Sequence, residues 1–162
     1  MPDAVVGRLR LDTGERVLAG AVDSGGGWTV GTDRALHVSM GDGWSRVPWE
    51  RIDRASFDDD TGRLEVVEAA DFGEPEPTHR LALAEPQRLL DLVRERVTAS
   101  MLLTRTVPVP GSRGVKVVAR RSPTGGPVEW SFWLDSGLRP DDPHVRAAIA
   151  SGQAAAISEL GL

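Results

Sequence analysis

The chain has 162 residues, is 40% hydrophobic and 27% charged, and carries a formal net charge of −5. That length suits one ordinary core, or one core with a small appendage, and the balance is globular rather than disordered. The negative charge argues against sequence-independent nucleic-acid binding and disfavours docking on an anionic membrane, and the absence of cysteine removes disulfides, thiolate metal sites and thiol catalysis.

The opening stretch MPDAVVGRLRLDTGER lacks the apolar region of a secretory leader, and no run approaches the roughly 18 apolar residues of a spanning helix. The expectation is a cytoplasmic protein. From Arg16 onward, short strands alternate with turn signals. RVLAGAVD (16–23) ends at SGGG, whose glycines take the positive φ of a tight turn. WTVGT (28–32), then Asp33-Arg34, then ALHVSM (35–40) form a hairpin pattern. GDG (41–43) leads into WSRVPWE (44–50), where Pro48 demands an edge, a break or a bulge. IDRASF (52–57), RLEVVEA (63–69) and THRLAL (78–83) complete seven strands.

Helical spacing begins at Pro86, with Leu89, Leu90, Val93, Val97 and Met101 recurring on one stripe and Leu102 beside them. The spacing predicts a capping helix over about 85–104. VPVPGSRG (107–114) reads as a linker. Beyond it, Val115, Val117 and Ala119 alternate with Lys116 and Arg120. Val128, Trp130, Phe132 and Leu134 then line one face of a second strand. Asp142-Pro143 starts a helix whose stripe is Val145, Ile149, Gly152, Ala156 and Leu160, small enough for close packing. The fold expected is α+β: a domain over 1–106, a linker over 107–114 and a ββα extension over 115–162.

Three quoted segments carry a family resemblance: WTVGTDRALHV (28–38), WSRVPWERI (44–52), and a DDTG turn before LEV. Together they resemble the bacterial PH-like and GRAM-like families, small actinobacterial proteins among them, over residues about 15–104. The resemblance implies a seven-stranded antiparallel barrel plugged at one end by a helix, and says almost nothing about function. The first hairpin loop, DSGGG (23–27), has no base, whereas phosphoinositide-binding PH domains use lysines and arginines there. Residues 1–106 hold 13 basic and 19 acidic side chains, a net of −6, which further disfavours a lipid-headgroup role.

Candidate sites are few. Asp33 and Arg34 offer a general base and an anion site, but their place between two strands favours a turn. Asp58, Asp59 and Asp60 suggest calcium, yet the loop positions that need glycine and glutamate hold Arg63 and Ala69. His37, His79 and His144 have no metal-ligand spacing, and His37 is expected on the polar side of its strand. No serine sits in a nucleophile elbow and no glycine-rich stretch ends in Lys-Ser/Thr, so no cofactor is implied.

Arg113, Lys116, Arg120 and Arg121 form the one basic concentration, a candidate surface for an acidic partner. Trp133 falls on the polar face of its strand with Glu129, Ser131 and Asp135, an arrangement that marks interfaces. The function expected is a non-enzymatic module that binds a protein partner or a second copy through Trp133 and the basic strand. The alternative is a small-ligand or anionic-lipid binding domain using the open barrel end with Arg34 or the Arg113–Arg121 patch.

Overall fold

The computed structural model describes residues 1–162, with the side chain of Arg113 outside the described residues. After a short helix α1 (Asp3–Val6) come β1 (Val17–Asp23), β2 (Trp28–Thr32), β3 (Ala35–Met40) and β4 (Gly43–Pro48). A 3-10 turn, Trp49–Arg51, leads to β5 (Ile52–Asp58), β6 (Arg63–Glu68) and β7 (Thr78–Ala84). These strands form one antiparallel sheet in the order β4-β3-β2-β1-β7-β6-β5. The sheet is not closed: it ends at β4 and β5, and its two halves join only where Val22 faces Ala84 and Asp23 faces Leu83.

Helix α2 (Gln87–Ser100) packs on one face of the sheet. Leu89, Leu92 and Val93 pack there with Leu36, Val38, Val47, Ile52, Leu64 and Val66. Gly31 lets the helix close on the sheet, since a Cβ at that position would lie 2.5 Å from Leu92 Cδ2. Trp49 is fully buried and donates its indole N–H to the Thr32 carbonyl at 3.0 Å, which fixes the corner after β4.

The chain departs from the sequence expectation at residue 101. The helix stops at Ser100, and Met101–Val109 is a strand, β8, hairpinned through Pro110 and Gly111 onto β9 (Ser112–Arg121). Segment 107–114 is therefore a hairpin, not a linker. With β10 (Val128–Leu134) and α3 (Pro143–Leu160), the extension is βββα, with sheet order β10-β9-β8. Pro108 is tolerated because β8 is an edge strand, where a missing N–H need not break a ladder.

Helix α3 starts as the sequence predicts. The Asp142 side chain accepts the His144 N–H at 2.8 Å and Pro143 occupies the first turn. A Cβ on Gly152 would lie 2.6 Å from Val107 Cγ2, so the small stripe brings α3 close against β8 and β9. Val115, Val117, Val145 and Ala148 form this second core, against which Trp130, Phe132 and Leu134 pack.

The opposite face of the three-stranded sheet meets the main sheet, and Arg120 holds the junction. It is 3% exposed, donates from Nη1 to the Val97 carbonyl and Ser100 Oγ at the end of α2, and from Nη2 to the Asp53 carbonyl at 2.7 Å. Burial lowers its pKa, with the Asp53 carboxylate 4.0 Å away opposing that shift. Arg51 faces Glu129 at 3.7 Å, and Phe72 meets Phe132 edge-on with centroids 6.1 Å apart. The extension thus docks on its own chain.

Arg120→Met leaves the Asp53 carbonyl and the end of α2 without their donor, and should cost about 2–4 kcal/mol of stability. Arg120→Lys should restore little of it, because one ammonium cannot span acceptors on two elements. Urea unfolding midpoints measure this; an unchanged midpoint for Arg120→Met would show that the junction is held by other contacts.

Candidate functional site

The strands β2, β3 and β4 have a second face, opposite α2. His37 lies between Leu36 and Val38, which face the helix, so its ring points the other way. The register places His37 opposite Val30 on one side and Arg46 on the other, and Ser39 opposite Trp44. Continued by one residue, it sets Trp28 opposite Ser39, and the Trp28 N–H donates to Ser39 Oγ at 2.8 Å. Two rows therefore cross these strands: Trp28, Ser39, Trp44, and beside it Val30, His37, Arg46.

The segment before β1 covers part of this face. Met1 Sδ lies 2.8 Å from where a Gly20 side chain would begin, and Leu9 is buried. Glu15 ties the segment down with a side chain at 0% exposure. It receives the Thr32 hydroxyl at 2.6 Å, the His37 ring at 3.1 Å, the Asp12 N–H at 3.0 Å and Arg46 Nη2 at 3.4 Å. Burial by itself would raise the Glu15 pKa, but these donors outweigh it and hold the carboxyl at about 2. Since an ionised carboxylate only accepts, the His37 Nε2 carries the proton in this contact.

Between the segment and the strands runs a cleft of about 1130 Å³. Arg8 and Arg10 of the segment, Trp28, His37, Ser39, Trp44 and Arg46 of the sheet, and the glycine turns at 25–27 and 41–43 line it. Arg46 contacts Asp12 at 2.9 Å and Glu15 through the same nitrogen, Nη2, so both of its ion pairs use one arm of the fork. Arg8 and Arg10 are exposed and have no acidic partner among the described residues. Asp42 is the one carboxylate lining the cleft among the described residues.

Apart from His37, the residues singled out from sequence stand elsewhere. Asp33-Arg34 is the turn between β2 and β3: Thr32 Oγ1 accepts the N–H groups of Arg34 and Ala35, and Asp33 accepts the Arg16 N–H at 2.8 Å. Arg34 is half-buried against Gly14 and does not line the cleft. Arg120 is corrected from a partner-binding side chain to the buried junction residue described above. Lys116 is exposed and lies 5.5 Å over the Trp133 ring, its cross-strand neighbour. Trp133 is half-buried, with its N–H enclosed and unpartnered. The side chain of Arg113, the remaining member of the basic group, lies outside what the structure describes.

His37 is 1% exposed rather than on a solvated strand face, because the segment before β1 covers it. Its relation to Glu15 spans 22 positions, so no local motif announces it. The alternation of β3 does put His37 and Ser39 on one face, and Arg46 and Trp44 follow from the hairpin. What sequence reasoning missed is the cover. Among the described residues no group of three or more metal-ligating side chains is clustered.

Comparisons with protein-family models, with curated proteins and with solved structures find no match to this chain.

The Glu15 anchor has a defined pH signature. Its carboxyl falls from an ordinary 4.5 to about 2 on folding, and at about 1.4 kcal/mol per pH unit that is about 3 kcal/mol of stability. A depressed acid contributes fully above its unfolded value and loses its effect as pH falls from about 4.5 toward 2. Glu15→Gln should therefore lose about 3 kcal/mol at pH 7, and the gap from wild type should narrow steadily below pH 4.5. Urea unfolding at pH 7 and pH 3 measures it; a gap independent of pH would rule out the ionised carboxylate as the anchor.

Proposed function

We propose that this chain is a non-enzymatic binding module of PH-like architecture that holds a small anionic ligand in the cleft between its N-terminal segment and the β2-β3-β4 face. The architecture is supported by the strand order, by the narrow two-pair junction between β1 and β7, and by a single helix packed across the bent sheet. The observation that carries the ligand reading is the charge of the cleft. Arg8 and Arg10 lack acidic partners among the described residues, and Arg46 keeps most of its fork free, in a chain of net charge −5. Unpaired guanidinium groups converging on a concave surface suit a phosphate or carboxylate, which they can grip in bidentate fashion.

The Glu15–His37 pair serves this reading as a scaffold. Its carboxylate is enclosed and already occupied by four donors, so it has no capacity to take a substrate proton. No nucleophile is tied to His37 by a hydrogen bond among the described residues, which supports a binding role over a catalytic one.

One observation favours a second reading, contact with a protein partner or a second copy. Trp133, Lys116 and Thr106 form a row across the three-stranded sheet, on the face whose other end Arg120 docks on the main sheet. A half-exposed indole beside an internal junction is the type of anchor that interfaces use. Light scattering on wild type and Trp133→Ala tests it, and a monomer in both with empty pull-downs removes it.

For the cleft, equilibrium dialysis with inorganic phosphate and pyrophosphate at low ionic strength should show salt-sensitive binding. The double variant Arg8→Ala/Arg10→Ala should weaken it at least about tenfold, because two charge-assisted hydrogen-bond donors are lost. Flotation with phosphatidylserine vesicles separates the sources. Vesicle binding without soluble phosphate binding would assign the site to a membrane anion, and an absence of both would remove the ligand reading.

A further inference from the structure

The row beside Arg46 carries more chemistry than an anion needs. Trp28 and Trp44 stand on the first residues of β2 and just inside β4, with β3 between them. Two inter-strand spacings separate their backbones by about 10 Å. The residue between them on the same face is Ser39, the smallest member of the row, and its hydroxyl is held down by the Trp28 N–H. The row is thus tall at both ends and low in the middle.

The turn beside it is kept low as well. A Cβ on Gly27 would collide with the Asp23 carboxylate and with Ser39 Oγ, so no side chain can rise there. The Asp23 carboxylate in turn accepts the Gly25 and Gly27 N–H groups at 2.7 and 2.9 Å, which fixes the turn in its open form. Both indoles line the cleft and are only half-buried, although neither belongs to either hydrophobic core. Large rings that serve no core and flank a low floor are otherwise unexplained surface.

We propose that the ligand of this cleft carries a planar aromatic ring joined to its anionic group, with the ring entering over Ser39 between Trp28 and Trp44. This rests on the anion-binding reading above and adds the chemical class of the ligand. A ring in contact with an indole on each side needs about 7 Å between the indole planes, at about 3.5 Å per contact. Backbones about 10 Å apart leave that room when the side chains lean inward. Arg46 lies two residues along β4 from Trp44, about 7 Å away, on the same face. The anionic group therefore sits one short linker from the ring, in the cleft that Arg8 and Arg10 also line. Nucleoside monophosphates have this form, as do aryl phosphates and arylalkyl carboxylates.

Stacking by itself is tolerant of ring identity, since every base or arene presents a π face. The cleft's selectivity is accordingly for the pairing of ring and charge. Asp42, on the turn that leads into Trp44, sets a carboxylate at the ring end and repels a second negative group there.

Isothermal titration of the full chain with AMP, ribose 5-phosphate and adenosine tests the proposal. AMP should bind about tenfold tighter than ribose 5-phosphate, and adenosine more weakly than AMP. Trp44→Leu and Trp28→Leu should each bring AMP down toward the affinity of ribose 5-phosphate while leaving ribose 5-phosphate itself unchanged. That unchanged value also reports that the variants fold, and Trp44→Phe should retain most of the AMP preference. Equal binding of AMP and ribose 5-phosphate to wild type, or equal weakening of both by Trp44→Leu, overturns the aromatic slot and leaves the anion site standing. If AMP, ribose 5-phosphate and inorganic phosphate all fail to bind, the underlying reading falls with it.

Discussion

The Glu15 carboxylate is the contact on which the second face of the sheet depends. It is wholly enclosed, and it stays ionised because Thr32, His37, the Asp12 amide and Arg46 all donate to it. An ionised group in that position is costly unless nearly every lone pair is satisfied, and here nearly every one is. The network joins three separate stretches of chain: the segment before β1, the turn at Thr32, and the paired strands β3 and β4. Without it, residues 1–15 would have only Leu9 buried among their apolar side chains, too little apolar area to hold an ordered position.

Because the segment is held, a sheet that packs one face on α2 acquires a partly covered second face. Val30 shows the consequence. It points away from the helix-side core, belongs to neither hydrophobic cluster, and yet is fully buried. The same segment brings Arg8 and Arg10 to the cleft that Arg46 also lines. Arg46 stands on this face through its place in β4, whereas Arg8 and Arg10 belong to no strand and line the cleft from the segment before β1. The cleft is a product of docking the N-terminal segment, and its charge comes from that segment as much as from the sheet.

Strand boundaries in the first half were legible because the signals are local. Glycine turns at 25–27 and 41–43, period-2 alternation and Pro48 all act within a few residues. The end of α2 was not, since Met101 and Leu102 continue the apolar spacing of the helix although they open β8. Pro108 then argued for a linker, and only pairing with β9 reveals an edge strand that tolerates it. Arg120 failed for a related reason. Alternation correctly put it opposite Val117 and Ala119, but periodicity cannot say whether that face meets water or another part of the chain. The candidate site has the same history. His37, Ser39, Trp44 and Arg46 share a face by alternation and hairpin register. A contact between positions 15 and 37, made by a polar segment with no periodicity, leaves no mark that sequence reading can detect.

That origin has a thermodynamic consequence for any ligand of the cleft. Arg8 and Arg10 reach the site only while the segment is docked, and the segment is docked only while Glu15 keeps its donors. Arg46 belongs to both arrangements, as a donor to Glu15 and as a wall of the cleft. A bound anion would draw on the free part of that guanidinium and, through Arg8 and Arg10, hold the segment in place from the other side. Binding and docking then stabilise each other by the same free energy, as linkage requires. The tryptophans stand outside this coupling, since they are fixed by strands whose core faces α2. A ring between Trp28 and Trp44 would thus meet a preformed surface, while the anionic end meets one that ligand and segment complete together.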